Sequence, residues 1–147
     1  MIHPSPTTKI DPTQARGVLE EVVADSPTRP GYIVFSVPNS SYRLYLRPAG
    51  PLATSVGGRL VGVITATARR VDVIDTGGKY VEPVFGRPRR VQGKVVALDE
   101  GARAIVVDAG GVSIQCRLSD ARQRPVDFSI GELVSFDVLD GATFEAR

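Results

Sequence analysis

Residues 91–118, VQGKVVALDEGARAIVVDAGGVSIQCRL, contain three runs of mainly aliphatic side chains separated by turn-forming residues. Short runs rich in valine and isoleucine, bounded by glycine and aspartate, are typical of β-strands. The pair Gly110 and Gly111 marks a turn between the second and third runs, because glycine adopts positive φ at no steric cost. This stretch therefore predicts three consecutive strands.

The same pattern extends through the rest of the chain. Strand-like runs cover residues 17–25, 32–38, 42–47, 59–68 and 69–75, and ELVSFDVLD and ATFEA near the end of the sequence. Helical periodicity is nearly absent, and only residues 48–56 and 119–128 leave room for a short helix or an irregular loop. Many short strands with marked turns predict an all-β fold with little helix.

The second half of the sequence matches the first in order. Gly17 corresponds to Gly93, and the remaining matches pair YIVFSV with AIVVDA, YRLYLR with VSIQCR, and SVGGRLVGV with SIGELVSF, the last with one extra glycine in the first copy. Chance similarity between β-rich segments is the alternative explanation. A true repeat gives each copy the order strand, strand, strand, variable segment, strand, strand, which is the order of the five-stranded OB barrel.

We therefore predict two small tandem OB-like five-stranded barrels. The predicted division is a flexible leader at 1–14, a first barrel at 15–77, a connector at 78–90 and a second barrel at 91–147. The connector, GGKYVEPVFGRPRR, mixes glycine, proline and basic residues, as segments between domains do.

Composition limits the classes of partner. The chain has 147 residues, 42% of them hydrophobic, and its 18 basic and 16 acidic side chains leave a net charge of +2. Bulk charge therefore does not attract it to nucleic acid, and any such binding must be local. The leader has no apolar core of a signal peptide, and no apolar run approaches the ~20 residues of a membrane-spanning helix. We expect a soluble cytoplasmic protein with no membrane association.

Residue types disfavour catalysis. The one histidine, His3, lies in the leader beside a proline, and the one cysteine, Cys116, lies between apolar neighbours. These residues provide neither a nucleophile–histidine pair on the folded body nor a metal-ligand cluster. We expect a non-catalytic protein with no metal and no cofactor, in which Cys116 is a small core side chain.

The stretch SYRLYLRP, residues 41–48, places basic and aromatic side chains at alternate positions. Because side chains alternate between the faces of a strand, Arg43, Tyr45 and Arg47 are predicted to point outward. An exposed tyrosine between two arginines offers a ring face for a base and donors for phosphate. The alternative is a solvated strand whose arginines discourage pairing with another edge.

Further basic residues occur in two groups, Arg69 and Arg70, and Arg87, Arg89 and Arg90. Residues 1–88 hold 10 basic and 7 acidic side chains, and residues 89–147 hold 8 and 9. A polyanion is therefore expected to prefer the first half and the connector. The alternative is that the charged connector is simply solvated.

The second half resembles the RNA-binding OB modules of ribosomal and translation-initiation proteins. A V-x-G-x-V opening at 91–95 and a G-x-x-V strand entry at 131–134 carry the resemblance. In that family the outer faces of the second and third strands bear aromatic and basic side chains that contact RNA. Those positions fall on Arg43, Tyr45 and Arg47 in the first half. In the second half they fall on Ser113, Gln115 and Arg117, so that copy keeps one arginine and lacks the aromatic ring.

Two other functions stay open. The low net charge, few aromatic residues and acidic second half favour a module that binds a protein partner or assembles with itself. PilZ-type barrels, which bind cyclic dinucleotides, are similar in having an arginine-rich lead-in before a D-x-S-x-x-G motif. Here GRPRR at 86–90 precedes DAGG at 108–111, with different spacing and no serine. The preferred hypothesis is binding of single-stranded nucleic acid, RNA in preference to DNA, through the first barrel and the connector.

Overall fold

A computed structural model describes residues 11–147, and all its regular structure is β except one 3-10 turn. The strands are β1 Ala15–Val23, β2 Tyr32–Ser36, β3 Arg43–Pro48, β4 Arg59–Val73, β5 Tyr80–Glu82, β6 Phe85–Gly86, β7 Arg90–Asp99, β8 Ala104–Asp108, β9 Ser113–Leu118 and β10 Leu133–Ala146. The turn, Pro125–Asp127, lies in a segment expected to be a short helix or a loop. The all-β prediction is confirmed.

All ten strands belong to one sheet. Its order is β1-β2-β3-β10-β4-β9-β8-β7-β5, with β6 beside β3, and β1 also pairs with β4 while β7 pairs with β10. These two extra pairings close two circuits of five strands, β1-β2-β3-β10-β4 and β7-β8-β9-β4-β10. Because β4 and β10 belong to both circuits, the prediction of two tandem barrels is not confirmed.

The sharing follows from the length of β4 and β10. Residues 59–68 and 69–75 were expected to form separate strands, but β4 runs without interruption over 15 residues, since neither glycine nor proline separates them. Its first residues pair with β1, and residues 64–68 then pair in parallel with β9 from the other half of the chain. The strand β10 crosses in the opposite direction, from β7 to β3.

The interior is filled by alternating aliphatic and aromatic side chains. Leu44 and Leu46 are fully buried, and Tyr42 is partly buried against the same core, where its hydroxyl oxygen accepts a hydrogen bond of 3.0 Å from the Val81 N–H. Cys116 is also buried, and burial raises the pKa of its thiol. The alternation predicted for residues 42–47 therefore has its apolar side in the core.

The predicted connector contains regular structure. Its strands β5 and β6 pair with β7 and β3 respectively, so residues 78–90 contact both halves of the chain. The predicted leader falls mostly on residues 1–10, which lie outside the described residues. Of its last residues, Pro12 accepts a 2.7 Å hydrogen bond from the Ser113 hydroxyl through its carbonyl oxygen. Within residues 11–147, no helix is long and apolar enough to cross a membrane.

The turns that lead into β4 and β10 have the same bonding. Gly57 and Gly131 have φ of 90° and 91°, and their N–H groups donate to the carbonyls of Leu19 and Val95, both at 2.7 Å. Leu19 and Val95 in turn donate to the carbonyls of the next residues, Gly58 and Glu132. These bonds align residues 55–63 with 129–137 without the extra glycine that the sequence match required.

Candidate nucleic-acid interface

The outer side of β3 presents the three residues singled out in the sequence. Arg43 and Tyr45 are half-buried and Arg47 is exposed, whereas the intervening leucines lie in the core. The antiparallel partner β2 sets Val34 opposite Tyr45, which places Tyr32 diagonally across from the Tyr45 ring.

Tyr45 belongs to a cluster of three aromatic rings, Tyr32, Tyr45 and Phe85, which we call the aromatic face. The rings of Tyr32 and Tyr45 stack with their centroids 4.5 Å apart and their planes 20° from parallel. Phe85, from β6, meets Tyr45 edge-on with centroids 5.7 Å apart, and 60% of its surface is exposed. One side of the Tyr45 ring is therefore covered, and Tyr32 and Phe85 extend the apolar surface outward.

Mixed charge surrounds the aromatic face. Desolvation raises the pKa of Tyr45 above its usual value, and the neighbouring Tyr32 and Glu21 raise it further. Its phenol is therefore uncharged at neutral pH. Glu20 is engaged by Ser36, whose hydroxyl donates a 2.7 Å hydrogen bond to it. Arg43 and Arg47 take part in none of the ion pairs found among residues 11–147.

A second group of basic side chains lies where the end of β4 pairs with β10. Phe136 pairs with Val71 and Val138 pairs with Ala68, so Arg69 and Arg70 form a bulge opposite Asp137 alone. Arg69 and Arg70 of the bulge line a cavity of about 290 Å³ together with Arg90. We call these three residues the arginine cluster.

Two arginines of the arginine cluster are already paired. The Arg70 guanidinium contacts Asp72 at 3.1 Å, and that of Arg90 contacts Asp137 at 2.8 Å. Hydrogen bonds to Tyr80 and Asp137 raise the pKa of Arg90. These carboxylates offset much of the positive charge available to an anion.

The remaining predicted residues are dispersed. The side chain of Arg87 packs beside Gly141, and the carbonyl of Arg89 accepts a 2.8 Å hydrogen bond from the Val138 N–H, so both lie along β10 near the arginine cluster. Arg117 is exposed on β9 and shares a groove with Arg47. The structure thus places the nine predicted residues on three surfaces: the aromatic face, the arginine cluster with its neighbours, and the groove beside Arg117.

Sequence reasoning missed Tyr32 and Phe85. Tyr32 could have been found from the hairpin, because the turn at residues 38–41 fixes which residues of the two flanking strands face each other. Phe85 gave no such indication, since it lies in the glycine- and proline-rich connector and reaches Tyr45 through the two-residue strand β6.

Within residues 11–147, no three His, Cys, Asp or Glu side chains gather as metal ligands do, and His3 lies outside that range. Asp108, of the DAGG stretch, accepts hydrogen bonds from the Gly110 and Gly111 N–H groups and from Lys79. Its carboxylate therefore holds a turn.

No family model, curated protein or solved structure matches this chain.

Proposed function

We propose that this protein is a non-catalytic binding protein for single-stranded nucleic acid, with RNA as the preferred ligand. The observation that carries the proposal is the aromatic face, which lies on an outer surface between Arg43 and Arg47. Bases stack on exposed rings regardless of sequence, and arginine holds the adjoining phosphates. A cytoplasmic location, inferred from the sequence, is part of this proposal.

The expected affinity is modest. Stacking on an aromatic side chain contributes about 1–3 kcal/mol per base, and the mutual stacking of Tyr32 and Tyr45 leaves room for only one or two bases. Two arginine contacts add a salt-sensitive contribution. We therefore expect a dissociation constant on the order of micromolar or weaker.

We also infer that each strand circuit is a small OB-like barrel and that the chain is an internal repeat. The matching turn bonds of Gly57 and Gly131 support this, as do register shifts between Leu19 and Glu21 in β1 and between Val95 and Ala97 in β7. In this proposal each barrel takes its last strand from the other half of the chain.

The first test is fluorescence anisotropy with a labelled uridine oligonucleotide at low salt. Replacing Tyr45 with alanine and both Arg43 and Arg47 with glutamate is expected to abolish binding, because the variant lacks the stacking ring and reverses both charges. Arg122→Glu with Arg124→Glu is the matched control, since these exposed arginines lie in the segment before the 3-10 turn. An intact affinity in the triple variant, or no binding by the unaltered protein, contradicts the proposal.

A protein partner is the second candidate. The observation that favours it is a set of apolar side chains at the end of the second circuit, where Leu98, Val126 and Ile130 are 38%, 56% and 61% exposed. Such side chains are typical of protein contacts when they form one patch. Light scattering and a pull-down from lysate separate the two candidates, because a partner that survives nuclease treatment supports this one.

A further inference from the structure

The outer sides of four neighbouring strands, β3, β10, β4 and β9, form a polar surface between the two halves of the chain. Strand register aligns Arg47, Thr143, Thr65 and Gln115 in one row, and Thr67 with Arg117 in the next. These side chains point outward because the alternate residues, including Ile64, Ala66 and Phe144, are buried. The row therefore runs from β3, which carries Tyr45 of the aromatic face, to β9 in the second half of the chain.

Three neighbouring cavities along this surface share lining residues. A cavity of about 270 Å³ is lined by Arg47, Arg117 and the three threonines. It shares Thr65, Arg117 and Thr143 with a cavity of about 480 Å³ that extends to Arg103, and it shares Arg47 with one of about 330 Å³ that includes Tyr32. We call this series of neighbouring cavities, from Tyr32 past Arg47 and Arg117 to Arg103, the central groove.

The central groove is lined by four arginines and three carboxylates, of which Asp25 lies at the Tyr32 end. Of the arginines along it, Arg147 is paired with Glu145, and Arg103 donates hydrogen bonds to the carbonyls of Asp120 and Gln123 at 3.2 and 2.9 Å. Asp140 also lines the groove. Arg47 and Arg117 belong to none of the ion pairs formed within residues 11–147, so their guanidinium groups are available to an anion.

These two arginines also occupy matching environments. Each is the exposed residue that follows a buried side chain, Leu46 or Cys116. Each also pairs in parallel with a threonine of a long crossing strand: Arg47 with Thr143, and Arg117 with Thr67. Two equivalent cationic positions along one groove suit a ligand with a repeated anionic group.

We propose that the central groove carries the phosphodiester backbone of the single-stranded ligand away from the aromatic face, and that Arg117 is its contact in the second half. This inference rests on the proposed function and extends it from one half of the chain to both. Three strand spacings separate β3 from β9, which is about 14 Å at 4.8 Å per spacing. The ligand class is therefore an oligonucleotide several residues long, since a mononucleotide on the aromatic face does not reach Arg117.

The test compares Arg117→Gln with the unaltered protein, using labelled uridine oligonucleotides of 2 and 12 residues over a range of salt concentrations. The shorter oligonucleotide is expected to bind both proteins equally. The longer one is expected to lose roughly tenfold in affinity, and its plot of log affinity against log salt is expected to flatten by about 0.7, as for one lost phosphate contact on a single strand. Arg122→Gln is the matched control, and Gln115→Glu, which adds a negative charge in the groove, is expected to weaken the longer ligand alone.

The outcomes separate the two proposals. Loss of binding in Tyr45→Ala with unchanged length and salt dependence in both groove variants overturns the groove and leaves the aromatic face as the site. An unaltered protein that binds neither oligonucleotide overturns both. Equal losses for the short and long oligonucleotides also contradict the groove, because Arg117 would then act through the fold and not through the ligand's far end.

Discussion

At the residue scale, the close approach of a neighbouring strand explains why a glycine, Gly93, stands at the centre of the V-x-G-x-V stretch. A Cβ at this position would lie 2.1 Å from the carbonyl oxygen of Asp108, and one at Gly17 would lie 2.4 Å from that of Ser36. Both atoms belong to the backbone of the next strand in the circuit, so the clash has no flexible side chain to absorb it. The glycine thus permits close approach of two strands and does not report on ligand chemistry.

Gly93→Ala is therefore expected to lower the free energy of unfolding by about 2–4 kcal/mol, because β7 and β8 must separate to admit the methyl group. Chemical denaturation measures the change. Gly50→Ala is the control, since a Cβ there meets nothing within 4 Å, and we expect a change within about 0.5 kcal/mol. Equal stability of the two variants would contradict the close approach.

At the element scale, β10 has two more residues than β4 between the pair Leu139 with Thr67 and the pair Thr143 with Thr65. Three residues of β10 therefore lie opposite Ala66 alone. Asp140 and Gly141, with φ of 57° and 78°, form the excess. Because side chains alternate with a period of two, an excess of two leaves the inward and outward faces of β10 unchanged.

Deleting Asp140 and Gly141 together should therefore give a continuous ladder that keeps Phe144 in the core, and we expect the free energy of unfolding to change by no more than about 1 kcal/mol. Deleting Gly141 alone leaves one residue in excess, so β10 must either bulge opposite Ala66, as β4 does at Arg69 and Arg70, or turn every later residue to the other face. Either outcome should lower the free energy of unfolding, by about 3–5 kcal/mol when Phe144 is exposed, as truncation of a buried phenylalanine does. Denaturation curves of the two deletions provide the comparison, and a double deletion as unstable as the single one would refute the register.

Strand β4 shows which features of the fold can be predicted from the sequence. Strand positions and the inward side of residues 42–46 follow from alternation and turn residues, which act locally. The continuity of β4 past Ala68 is also readable locally, because no turn residue interrupts it. The change of partner of β4, from β1 to β9, cannot be predicted locally, because pairing over that distance depends on both halves of the chain folding together. For the same reason Tyr45 was found from its own strand, whereas Phe85 required the three-dimensional contact.

At the scale of the whole molecule, the two halves of the chain complete each other. The first circuit is closed by the end of β10, which lies between β3 and β4, and the second by the end of β4, which lies between β9 and β10. Either half alone leaves unpaired strand edges and an open apolar interior. It also falls near the size at which a small domain folds only marginally.

Residues 1–77 and 78–147, expressed separately, are therefore expected not to form folded monomers, whereas co-expression should give a 1:1 complex that unfolds in one transition. Size-exclusion chromatography with light scattering and circular dichroism measure both properties. A protease site inserted between Gly77 and Gly78 is the control, because cleavage there after folding should leave the halves associated. Two monomers that each unfold cooperatively would show instead that the halves are separate barrels, each supplying its own last strand.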